Sequence, residues 1–81
     1  MNNTLRICIS SPPDREKLVA EIFFASEQWA EINQEQTELQ VEFYPRQSGE
    51  AWSLKFEDAI AALEQARRKL VGGSLEAILP G

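Results

Sequence analysis

A chain of 81 residues with a formal net charge of −5, 43% hydrophobic residues, one cysteine and no histidine has the composition of a single small acidic globular domain. Its charge opposes a phosphate backbone, whose binding depends on lysine and arginine displacing counterions, so nucleic acid is not an expected ligand. Cys8 alone closes no internal disulfide, and without histidine or further thiols no zinc site can be assembled.

A core of this size supplies only about 3–5 kcal/mol. With disulfide and metal both unavailable, a homodimer is the remaining stabilising device. The sequence has no charged head followed by an apolar leader and no run approaching ~20 apolar residues, so a cytoplasmic protein without a membrane segment is expected.

Leu5, Ile7 and Ile9 alternate with Arg6, Cys8 and Ser10, which predicts a strand over residues 4–10 with one buried face. Pro12 and Pro13 end it, because proline donates nothing to a ladder. A single helical turn capped by Asp14 is expected in the connection that follows. From Leu18 to Phe24 both faces are apolar except at Glu21, and a polar reversal at residues 25–28 leads into a third strand around Trp29, Ala30, Glu31 and Ile32. Leu39, Val41 and Phe43 alternate with Gln40, Glu42 and Tyr44 to give a fourth. Connections of about three to five residues favour antiparallel neighbours, hence a meander.

Trp52 and Leu54 suggest a short edge segment. From Phe56 the period changes to that of a helix, with Phe56, Ala59, Ile60, Leu63, Ala66, Leu70 and Val71 on one stripe. Glu57 and Asp58 suit its first turn and Arg67, Arg68 and Lys69 its last, with Gly72 and Gly73 as a left-handed stop. These elements predict an α+β fold over residues 1–73, a four-stranded antiparallel sheet with one C-terminal helix on one face, and an apolar tail over residues 74–81.

If the helix covers Leu5, Ile7, Ile9, Leu18, Ala20, Ile22, Ala30, Ile32, Leu39, Val41 and Phe43, the opposite face carries Arg6, Cys8, Val19, Glu21, Phe23, Trp29, Glu31, Gln40, Glu42 and Tyr44. Like charges on neighbouring strands repel. A solvated face and a face buried by the tail or a second copy are both consistent with this pattern. The functional reading is a protein-binding face for a basic partner, with Phe23, Trp29 and Tyr44 as anchors and Glu21, Glu31 and Glu42 as charge partners. The alternative is a structural homodimer that uses the same face and the tail.

Catalysis is not expected. The most common general base is missing, no nucleophilic elbow is present, and no base is placed to activate Cys8. A flat sheet offers no cleft to raise the pKa of one of the glutamates, no acidic loop has calcium spacing, and no cofactor is expected. The stretches "EQWAEI" and "VEFYPRQSGEAW" followed by an amphipathic helix resemble small bacterial α+β proteins, among them immunity proteins of bacterial toxin systems. That resemblance implies an inhibitor or accessory protein and assigns no individual residue.

Overall fold

The computed structural model describes residues 4–78, with side chains as far as Gly72. Four strands, β1 (Leu5–Ser10), β2 (Val19–Phe24), β3 (Glu27–Asn33) and β4 (Gln40–Phe43), precede one helix, α1 (Phe56–Ile78). The strands form one sheet in the order β1-β2-β3-β4, each neighbouring pair antiparallel. This is the α+β meander that the alternation and the short connections predict. Among the described residues no helix is long and apolar enough to cross a membrane.

The helix packs across β2 and β1. Ala62, Ala66 and Leu70 on its inner side close onto Ala20, Ile22, Phe24, Ala30 and Ile32, with Leu5, Ile7, Ala59 and Leu63 packed at the margin. The alanines let the helix approach the sheet closely. One edge of the expected apolar stripe is not covered and is left to solvent, with Phe56 at 78% exposure and Ile60 at 45%.

One irregularity reverses an expectation. Ile22 is opposite Ala30, but Phe23 is opposite Gln28, so Trp29 is an extra residue with no partner on β2. A bulge of this kind breaks the strict alternation of side chains. Trp29, expected opposite the helix beside Phe23, instead joins the core under α1 at 7% exposure. Its ring meets Phe24 edge to face at 5.3 Å and Phe43 at 5.3 Å. Phe23 stays on the far face, where the Arg6 guanidinium lies 4.4 Å from its ring centre.

Three local expectations are also corrected. The connection after Pro12 holds a turn closed by the Arg15 N–H on the Pro12 carbonyl at 3.1 Å and contains no helix. Trp52 and Leu54 form no strand; Trp52 donates its indole N–H to the Tyr44 carbonyl at 2.7 Å. The helix does not stop at Gly72 and Gly73 but runs through both to Ile78, so Arg67, Arg68 and Lys69 are not in its last turn. Glycine costs a helix only about 1 kcal/mol, and the following Leu75, Glu76 and Ala77 are good helix formers. Residues 74–78 of the expected tail are therefore helical, while 79–81, and with them the tail's docking, lie outside the described residues.

The β2–β3 turn also carries strain. Ala25 and Ser26 have φ of 50° and 77°, a type I′ geometry that favours Asn-Gly.

Two tests follow from this packing. Gly72→Ala should raise stability by about 0.5–1 kcal/mol, since Gly72 is helical without a positive φ and an added Cβ meets nothing within 4 Å; a helix that ended there in a left-handed residue would be destabilised instead. Trp29→Ala should cost about 3–5 kcal/mol, enough to unfold most of the chain by circular dichroism, whereas Phe23→Ala should leave it folded.

Candidate functional site

Register places Cys8, Glu21, Glu31 and Glu42 in one row across the four strands on the face away from α1, since Cys8 is opposite Glu21, Glu21 opposite Glu31, and Glu31 opposite Glu42. The three carboxylates are gathered as the alternation predicts. They do not form an open acidic surface.

The connection between β1 and β2 lies against this face. Glu35, just beyond β3, accepts from the backbone N–H groups of Glu16 at 3.5 Å and Lys17 at 3.3 Å, and Gln34 donates to the Leu18 carbonyl at 2.9 Å. Val19 and Asn33 at this end of the sheet are fully buried. From this connection Arg15 reaches the carboxylates. Its Nε donates to Glu31 Oε2 at 3.0 Å and its Nη2 to Glu42 Oε2 at 2.9 Å.

Glu31 is 5% exposed and also accepts the Tyr44 hydroxyl on Oε1 at 3.2 Å. Glu42 receives Asn33 Nδ2 at 3.3 Å. A buried carboxylate needs a counter-charge and hydrogen bonds, and this one has both. Within the chain, Arg15 supplies a counter-charge to both Glu31 and Glu42.

The network moves two protonation equilibria. The Arg15 guanidinium is held above its ordinary range, chiefly by its hydrogen bond to Glu42; burial opposes this, and the charges of Glu31 and Glu42 add to it. Burial, then the charge of Glu31 and the hydrogen bond to it, push the Tyr44 phenol above its usual value, because ionising it would place a second negative charge beside a buried carboxylate.

Of the six expected contact residues, Glu21, Phe23, Glu31, Glu42 and Tyr44 share the predicted face and Trp29 does not. Tyr44 is a hydrogen-bond donor to Glu31, and Phe23 is stacked by Arg6. Sequence reading missed Arg15 and Asn33. The available signal was the imbalance itself, since three aligned glutamates require a cation, and Arg15 lies in the connection next to them.

A second surface was not foreseen. Because α1 lies over β2 and β1, the helix side of β4 is bare. Leu39, Val41 and Phe43, expected under the helix, are 39%, 43% and 56% exposed. Between β4 and α1 lies a groove of about 280 Å³ lined by Ile32, Leu39, Val41, Ile60 and Leu63, with Glu64 and Arg67, paired at 3.0 Å, on its helix wall. Among the described residues no cluster of histidine, cysteine, aspartate or glutamate is arranged to hold a metal ion.

No family model, no curated protein and no solved structure matches this chain.

Tyr44 is the only tyrosine, so its titration can be followed by ultraviolet absorbance. It should ionise above its ordinary value of 10.0. Glu31→Gln should bring the midpoint part of the way back, because the burial contribution remains. As the folded-state value lies above the unfolded one, the resulting stabilisation is complete below pH about 10 and is lost as pH rises through the folded midpoint. A midpoint at the ordinary value, unmoved by Glu31→Gln, would refute the network.

Proposed function

We propose that this chain is a protein-binding module, with no catalytic role, and that its contact surface is the apolar strip made by β4 and the outer stripe of α1. One observation supports this most directly. Phe56, Ile60, Leu39, Val41 and Phe43 are all exposed on a small domain, and Leu39, Val41, Ile60 and Leu63 share one groove. Soluble monomers seldom leave contiguous large apolar side chains uncovered, and such patches mark association sites. The resemblance to immunity proteins is in keeping with this reading, as an inhibitor or accessory protein acting by contact. We assign the association to the cytoplasm, in line with the unpaired cysteine.

A second reading keeps a basic partner on the acidic face. The arrangement at Glu31 and Glu42 accepts a guanidinium, and the Glu42 side chain is 46% exposed. A partner's arginine would have to displace Arg15 from Glu42, while Glu21 offers a further carboxylate.

The two readings separate by mutation. Leu39→Ser with Ile60→Glu should leave the circular dichroism of the domain intact and weaken its associations at least tenfold, measured by light scattering and by retention of proteins on the immobilised chain. Glu21→Lys should leave them unchanged. Loss on Glu21→Lys together with retention in the double variant would transfer the function to the acidic face.

A further inference from the structure

β4, bare on its helix side, is also one of the two edge strands of the sheet. The Tyr44 N–H donates inward to the Trp29 carbonyl at 2.9 Å. In an antiparallel ladder successive residues point their N–H and C=O groups to alternate sides. The backbone groups of Val41 and Phe43 therefore point outward, away from β3, with Leu39 next in the same alternation. The residues with free backbone groups are the same ones that carry the exposed apolar side chains.

Sheet edges are usually protected by lysine, proline or a bulge. β4, Gln-Val-Glu-Phe, has none of these within it, and is shielded only by its shortness and by Glu42, which Arg15 engages at 2.9 Å.

Resting on the association surface proposed above, we infer that its occupant is a second copy of this chain, joined β4 to β4 across a two-fold axis at Val41 to make one continuous eight-stranded sheet. Charge and the extent of pairing together favour one register. With Val41 facing Val41 of the second copy, Leu39 is opposite Phe43 and Phe43 opposite Leu39 on the helix side. On the other side Glu42 is opposite Gln40, an amide able to donate to it.

Moving the axis to Glu42 would set Glu42 against Glu42. Moving it to Gln40 would set Glu42 against Glu38. Both alternatives oppose like charges directly, which destabilises a strand pair; the Val41 register avoids this and, unlike an axis at Leu39 or Phe43, pairs Gln40, Val41 and Glu42 with β4 of the second copy. Arg15 at 2.9 Å from Glu42 moreover reduces the negative potential at the seam, which helps two acidic chains to meet here. A two-fold contact of this kind uses the same surface on both copies and leaves β4 no free edge.

The geometry can be tested by cross-linking the full chain in a Cys8→Ser background. Facing residues in a hydrogen-bonded antiparallel pair have Cα atoms about 5.5 Å apart, within disulfide reach. Val41→Cys should therefore oxidise to a covalent dimer at low micromolar concentration, while Glu42→Cys and Phe43→Cys, which do not face themselves, should not. In the uncrosslinked chain, sedimentation should show a dimer that Val41→Pro abolishes without loss of the folded spectrum, since the Val41 N–H points away from β3.

A parent chain that stays monomeric into the high micromolar range overturns the second copy as occupant. So does a dimer indifferent to Val41→Pro, or one cross-linked through Glu42→Cys. If in those cases Leu39→Ser with Ile60→Glu still abolishes retention of another protein, the association surface stands and only its occupant is wrong.

Discussion

An α-helix with its side chains is about 10 Å across, and strands in a sheet lie about 4.8 Å apart, so one helix shields roughly two strands of a four-stranded sheet. This mismatch of widths organises the molecule. The helix settles on β2 and β1, drawn by the small inner side chains of Ala62 and Ala66, and β4 is left with its apolar side chains in solvent. Among the described residues there is no second helix with which to finish the layer.

The far side of the sheet meets the same constraint by other means. There the connection between β1 and β2 lies against Val19 and Asn33, and Arg15 neutralises the carboxylates that the register brings together. Taking a carboxylate out of water is expensive unless charge and hydrogen bonds are returned to it. Arg15 and Tyr44 do so for Glu31, and Arg15 and Asn33 for the more exposed Glu42. The acidic row is therefore first of all a latch that fixes a proline-containing connection to the sheet. Exposed apolar area has moved to the edge strand, where backbone hydrogen bonding is also unsatisfied, and these two deficits coincide on the same residues.

Trp29 shows where pattern reading loses its hold. Period-two alternation assigns it to the face of Phe23, and that inference fails because one extra residue in β3 resets the alternation. A bulge leaves no mark in composition. It is favoured here because the large indole gains an apolar site between Phe24 and Phe43, a gain visible only once the strands are paired. The glycine pair misled for a related reason. Gly72 and Gly73 read as a stop, but whether a glycine ends a helix depends on the φ it adopts, and the helix-forming residues after it continue the helix.

The sequence by itself determined the four strands, the start of the helix, the antiparallel pairing of neighbouring strands and the alignment of Glu21, Glu31 and Glu42, because hydrophobic period and connection length are local properties written residue by residue. Tertiary structure alone decided which two strands the helix covers, the inward turn of Trp29, the capture of Glu31 and Glu42 by Arg15, and the bare flank of β4. Each of these depends on distances between segments far apart in the chain, and side-chain volume and desolvation, which settle those distances, act only after the segments have met.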